Sequence, residues 1–396
     1  MKRVFFSALL VAVFMISKAS GQEHLVTVEN TLSMERSFET VEIKLVDLGY
    51  SMDTLPTAFT VQDYNSKEEL ISQLVDSDMD GNADVLIFQP EVPANEKKQY
   101  AIRSATSKNA AQVQYCFSRF VPERTDDYAW ENNKVAFRTF GPTAQQMVEQ
   151  NIKGGTLTSG IDAWLKKVEY PIIDKWYEKT LNKKGSYHED TGEGLDNFHV
   201  GVSRGVGGIA VKNEDVFYTS KNFVSWKTIT TGPLRTSFVL EYANWDAGNQ
   251  LISEKKTITL DYGSYLSKFK IELSGAEVIH AGLTLHEKDG ETHQHQHQQT
   301  HSGWVSYWQP HGDSALGTGI IVPHGNMVTS EVYTSDRKDL SNLYAAVKVV
   351  DNVATYYAGF GWKETKEFRS KFDWEVYLET MSQKINTPLR ITIHRK

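Results

Sequence analysis

The residues best equipped for chemistry lie together between positions 186 and 208, in the run S-Y-H-E-D-T-G-E-G-L-D-N-F-H-V-G-V-S-R-G-V-G-G. It brings Tyr187, His188, His199 and Arg204 together with the carboxylates Glu189, Asp190, Glu193 and Asp196. Interspersed glycines admit backbone conformations closed to other residues, so the segment reads as a shaped loop. Titratable groups crowded into one loop shift one another's pKa, which acid–base and metal chemistry both exploit. The run is therefore either a catalytic loop or a solvated one whose acids hold a structural cation. As a catalytic loop, it offers Tyr187 and His188 as a proton-transfer pair and His199 as a second acid or base. Arg204 then clamps a carboxylate or sulfate, while Asp190 and Glu193 orient the histidines or hold a divalent cation such as calcium.

Two reaction classes use such a set. β-Elimination from a uronic acid requires the sugar carboxylate to be neutralised, the weakly acidic C5 proton removed and the leaving oxygen protonated. Arginine, lysine or a metal serves the first task, histidine or tyrosine the other two. Glycoside hydrolysis needs paired carboxylates, and Asp190 with Glu193 or Asp196 is the available pair. The chain lacks a G-x-S-x-G elbow, a P-loop, a strand-borne G-x-G-x-x-G and an H-E-x-x-H motif, which disfavours α/β-hydrolase, nucleotide-dependent and zincin chemistry.

The elements around the loop must position it. A helical pattern begins at 162–165, and Pro171 is placed to open a further helix. There Ile173, Trp176, Tyr177 and Leu181 share a face. Trp176 reads as core, whereas Lys175 and Tyr177, on the helix that feeds the loop, are candidates to touch substrate. After the loop, alternating runs at 237–242, 257–262 and 268–273 indicate strand after strand. The whole reads as mainly β, a large antiparallel β-sandwich of supersandwich type with a few helices. Over 278–286 alternation puts His280, Gly282, Thr284 and His286 on one face, like the floor of a groove, with His286 a candidate substrate contact. The tract 293–301, H-Q-H-Q-H-Q-Q-T-H, reads as a solvated loop with at most an incidental affinity for transition metals. Cys116, the single cysteine, sits in an alternating run and reads as a buried structural thiol.

Residues 1–21 read as a secretory signal peptide, with Lys2 and Arg3, an apolar run over 4–16, then Ala19 and Gly21. That run is short for a permanent membrane span, and no cysteine follows it to carry a lipid anchor. Losing Lys2, Arg3 and Lys18 lowers the formal net charge of −8 by three, which disfavours nucleic acid and anionic membranes as partners. Export with a lone cysteine fits a bacterial periplasm. Residues 22–108 read as a small β module, with a short helix over 67–75 and a calcium-loop spacing at Asp76, Asp78 and Asp80. Position 87, where an EF-hand carries an acid, is Ile87, so the run is either a calcium-stapled hairpin or a plain acidic turn. Residues 109–396 then form the catalytic sandwich.

Several segments are similar to one family: V-E-Y-P-I-I-D-K-W-Y (168–177), Y-H-E-D-T-G-E-G-L-D-N-F-H-V-G (187–201), S-R-G-V-G-G-I-A-V (203–211), D-M-D-G-N-A-D-V-L-I-F (78–88) and N-K-V-A-F-R-T-F-G-P (133–142). They resemble secreted proteins of polysaccharide-utilisation loci in marine and gut bacteria, long described as a domain of unknown function. The family's best-described activity is that of the ulvan oligosaccharide dehydratase. The resemblance covers nearly the whole chain after residue 21. It implies removal of water from the non-reducing-end sugar of ulvan oligosaccharides, upstream of an unsaturated glucuronyl hydrolase. It assigns no catalytic residues, and the tract 293–301 has no counterpart in it. A polysaccharide lyase, a glycoside hydrolase and a non-catalytic carbohydrate-binding protein are the competing classes.

Overall fold

A computed structural model describes residues 23–51, 55–105, 113–287, 289–337 and 339–394. The expected signal peptide and the expected boundary at 108/109 lie outside these residues. Strand formation follows the alternation: in Leu251–Asp261 and Leu266–Ser274 nearly every second side chain is buried. These strands sit inside a nine-stranded antiparallel sheet with Phe223–Thr230 at one edge and Glu291–His297 at the other. The tract 293–301 is thus no loop through its first half but an edge strand paired with Ser302–His311. Its His-Gln alternation matches the strand period, a signal masked by the absence of any apolar residue.

Two five-stranded sheets pack against the nine-stranded one. The first runs Val216–Tyr218, Val206–Asn213, Val278–Thr284, Asn342–Lys348, Met327–Tyr333. The second runs Gly194–Leu195, Asp162–Lys166, Ala136–Thr139, Asp127–Glu131, Phe117–Val121. All three share one core, to which Ile209, Leu283 and Val347, Tyr128, Phe137 and Leu165, and Phe238, Phe269 and Tyr356 contribute. Residues 162–165 are therefore a strand and not the start of a helix. Ala163 and Leu165 face the sandwich core while Trp164 packs beneath a helix, so burial on both faces hides the alternation.

Three α-helices, α1 (Pro142–Glu149), α2 (Ile173–Leu181) and α3 (Lys371–Asn386), occur among the described residues; none is long and apolar enough to cross a membrane. α2 covers the outer face of the second five-stranded sheet, packing Ile173, Trp176 and Tyr177 on Ala129, Ala136 and Trp164. Leu181, expected on that buried face, is exposed. Glu131, fully buried, accepts from the backbone N–H groups of Ile172 and Ile173, all at 2.9 Å, and so satisfies donors at the start of α2. α3 begins at Ser370, whose hydroxyl accepts from the Asp373 amide, and lies on the outer face of the nine-stranded sheet. There Trp374 and Leu378 press on Gly317 and Gly319. A Cβ at those positions would come within 2.6 Å of Trp374 Cδ1 or 2.8 Å of Leu378 Cδ1, so glycine is what lets the helix seat.

Residues 23–51 and 55–105 build a smaller sandwich around Val26, Val28, Ile43, Val61, Phe88 and Tyr100. Residues 67–75, expected as a helix, supply two strands, Glu69–Leu70 and Ser72–Val75, the second with alternate residues buried. The chain's last strand, Arg390–His394, pairs with Glu23–Glu29. The small module therefore takes an edge strand from residues 390–394, far along the sequence. Cys116 is buried.

Candidate active site

The outer face of the second five-stranded sheet carries charge where a two-layer packing would ordinarily carry aliphatic residues. Arg138 lies directly opposite Asp162 on the neighbouring strand. Its Nη2 donates to Asp162 Oδ2 at 2.5 Å and to Asp196 Oδ2 at 3.0 Å, and Nη1 stands 3.6 Å from Asp127 Oδ2. Asp127 in turn accepts from the Tyr177 hydroxyl at 3.0 Å. Three carboxylates thus surround one buried guanidinium. Burial lifts Asp127 to about 6 and raises Asp162 and Asp196 as well, and the Asp196 charge raises Asp162 further. Burial alone would lower the pKa of Arg138, but Asp196, Asp162 and Asp127 together raise it well above its ordinary value.

Over this floor opens a cleft of about 660 Å³ whose wall includes Arg124, Arg138, Phe140, Asp162, His188, Asp196 and His199. The loop from α2 to Val206–Asn213 forms one side. It is pinned by the short strand Gly194–Leu195, where Gly194 has φ +105° and a Cβ would fall 1.9 Å from the Leu165 carbonyl oxygen. His188 Nδ1 lies 2.6 Å from the carbonyl oxygen of Asp196. A carbonyl only accepts, so Nδ1 carries the hydrogen and Nε2 is left with the basic lone pair. His199 Nε2 stands 3.0 Å from Asp339 Oδ2, an imidazole–carboxylate pair that orients the ring at the rim. Arg124 donates through Nε to the Tyr187 hydroxyl at 3.2 Å and through Nη1 to Thr125 Oγ1 at 2.9 Å. Its Nη2 meets no acceptor among the described residues, which leaves one fork of the guanidinium for a ligand.

The other expected site residues fall elsewhere. Tyr187 is buried, its hydroxyl between Arg124 and Arg138, so it positions the two guanidiniums instead of exchanging protons with a substrate. Arg204 points into the sandwich and donates to Thr158 Oγ1, Ser159 Oγ, the Val202 carbonyl and the Ile209 carbonyl; it is no clamp. Tyr177 lies behind the floor. Lys175 faces a separate surface cleft with Tyr170 and pairs with Glu193 at 2.5 Å. Asp190 is likewise paired with Lys167 at 2.6 Å.

His286 falls just past the strand Val278–Thr284, where it donates from Nε2 to the His199 carbonyl and packs edge-on to Phe198. The face it was expected to share is no groove floor: Gly282 lies under Arg204 and Tyr344, and His280 is buried against Phe217, its pKa pushed down to about 4 by desolvation. Asp76, Asp78 and Asp80 each offer an oxygen within 4.8 Å of the others, in an exposed turn.

Reasoning from sequence missed Arg124, Arg138, Asp162 and Asp339. A signal existed for Arg138: a lone arginine inside the apolar, aromatic run V-A-F-R-T-F (135–140) has to find a buried partner.

The family described as "Domain of unknown function (DUF4861)" matches residues 28–391. "Uncharacterized protein P7" of Formosa agariphila is 52% identical over 398 residues, covering 99% of this chain and all of that protein. Among solved structures, a protein in the glycosyl hydrolase family 38 from Enterococcus faecalis superposes with a TM-score of 0.51 at 11% identity, over 94% of this chain. That likeness is one of fold, and this chain spans about half the length of that protein, 47% of it.

Proposed function

The chain belongs to the DUF4861 family, and we propose that it is a carbohydrate-active carbon–oxygen lyase that dehydrates uronate-containing oligosaccharides of the ulvan type. One observation carries the reading: His188, its tautomer set by a backbone carbonyl, shares a cleft with an arginine that has donors to spare. Arg124 binds the sugar carboxylate and withdraws charge from C5. His188 Nε2 takes the C5 proton, the electron pair of that bond forms the C4–C5 double bond, and the C4–oxygen bond breaks. His199, held by Asp339, protonates the departing hydroxyl, which leaves as water. Arg138, Asp162 and Asp196 act behind this set by fixing the backbone whose carbonyl holds His188.

The resemblance of 187–201 and 203–211 to the dehydratase supports the choice of substrate. The sandwich shared with a protein placed among glycosyl hydrolases agrees with a carbohydrate ligand in kind. Hydrolysis by Asp162 and Asp196 is the weaker reading, because Arg138 stands between their carboxyl groups where a glycosidic oxygen would have to sit. The chemistry invokes no metal; a calcium at Asp76, Asp78 and Asp80 would be structural. In this reading the protein works in the periplasm and its product feeds an unsaturated glucuronyl hydrolase.

The test is mass spectrometry of saturated ulvan oligosaccharides incubated with the protein, beside the ultraviolet absorbance of a conjugated uronate. Loss of one water with rising absorbance and no chain shortening is expected. His188→Ala should abolish it at an unchanged melting temperature, since the ring is largely exposed. Shortened products without absorbance would make the protein a hydrolase, and full activity in the variant would remove His188 from the chemistry.

A further inference from the structure

The edge strand Glu291–His297 turns its histidines to one side and its glutamines to the other. Gln294 and Gln296 bond Ser330 and the Val328 carbonyl, on the strand Met327–Tyr333. His293, His295 and His297 face α3, which presents Glu375 and Glu379 one turn apart. The spacings match: residues two apart on a strand and four apart on a helix are both separated by roughly 6–7 Å along the axis. His293 Nδ1 accordingly meets Glu375 Oε1 at 3.1 Å, and His295 Nε2 meets Glu379 Oε2 at 3.8 Å. The nitrogens His295 Nε2 and His297 Nε2 are 3.2 Å apart.

That last distance is the informative one. Two ligands each about 2.0–2.1 Å from a tetrahedral ion stand roughly 3.3 Å apart. The donor atoms of His295, His297 and Glu379 all lie within 4.8 Å of one another. The surroundings are built to hold them. Trp304, directly across the strand pair from His295, stacks on its ring at 5.2 Å and donates from Nε1 to Glu379 Oε2 at 2.9 Å. Such outer contacts orient ligands in metal sites.

We propose that His295, His297 and Glu379 form a site for a divalent transition ion, zinc in the first instance, that ties the edge strand to α3. Imidazole and carboxylate donors suit zinc and offer calcium too few oxygens. The site stands apart from the candidate active cleft, none of whose lining residues it uses. A zinc clip would brace the exposed edge of the nine-stranded sheet against the helix on its outer face.

The experiment is titration of the full chain with zinc chloride, read by calorimetry and by the thermal unfolding midpoint. One zinc per chain is expected, with a rise in midpoint that a chelator reverses and calcium does not reproduce. His295→Ala, His297→Ala and Glu379→Gln should each weaken binding at least tenfold; His297→Ala, whose side chain is exposed, should also leave the metal-free midpoint unchanged. Trp304→Phe, which removes the donor to Glu379, should weaken it about 10–100-fold. Unaltered affinity in Glu379→Gln would reduce the site to chelation by a histidine tract, and the absence of saturable binding would overturn it.

Discussion

Asp127 shows how far the interior moves a single group. Buried beside Arg138 and Tyr177, it titrates near 6 instead of near 4, burial being the main cause. The folded protein therefore retains a proton that the unfolded chain releases between those values. Stability contributed by that proton is present at pH 4 and lost as the pH rises through 6. Asp127→Asn should abolish this loss. Relative to the native chain, the variant should gain at most about 3 kcal/mol in unfolding free energy between pH 4 and pH 7. Urea denaturation at the two values checks it, and a difference that does not change with pH would contradict the shift. His311 runs the other way: burial, aided by the nearby His286, pushes it down to about 4. Its contribution is lost as the pH falls from 6.5 towards 4, so the two groups have opposite slopes in one window.

At the scale of elements, α2 is held at its start by a charge from another strand. Glu131 accepts from the first amides of the helix and from Lys166 Nζ at 2.7 Å, and Lys166 also donates to the Asn132 and Tyr170 carbonyls. Both side chains are wholly buried. Removing one partner leaves an uncompensated charge, so Glu131→Ala should cost about 3–5 kcal/mol in chemical denaturation. Adding Lys166→Met should recover part of that cost. A loss under 1 kcal/mol for the single variant would mean that the pair does not hold the helix. Strands were readable where alternate residues are buried, as over 257–261 in Leu251–Asp261. Asp162–Lys166 was not, because Trp164 is buried under α2 while Leu165 is buried in the sandwich.

On the scale of the whole molecule, the first and last described strands are fastened to each other. Arg36, fully buried in the small module, donates from Nη1 to the Thr387 carbonyl at 2.5 Å and from Nη2 to the Lys384 carbonyl at 3.2 Å. These carbonyls close the C-terminal end of α3, where a cation is favoured. Just beyond, Arg390–His394 completes the sheet of the small module. Arg36 also pairs with Glu39, so Arg36→Ala leaves that carboxylate and the helix end without their partner and should cost about 2–3 kcal/mol. It should also loosen the last strand, which hydrogen exchange at the amides of Glu23–Glu29 would report. Unchanged protection there would show that strand pairing alone holds the two strands together.

The sequence by itself determined the class of the fold. Period-two burial declares antiparallel strands, and the crowding of His188, His199 and Asp196 in a glycine-rich loop puts them in the wall of one cleft. Which side chains enter the cleft was decided only in three dimensions. Arg138 is 24 residues from Asp162 and 58 from Asp196, and they meet through strand register and a loop folded over it. Arg204 had every chemical qualification of a clamp, yet its side chain is buried, where serine, threonine and carbonyl groups take up its donors. His295 and Glu379 are joined in the same way, by an edge strand and a helix that glycines allow to approach. A one-dimensional pattern records which residues alternate; the direction in which each alternating face points is set by what packs against it.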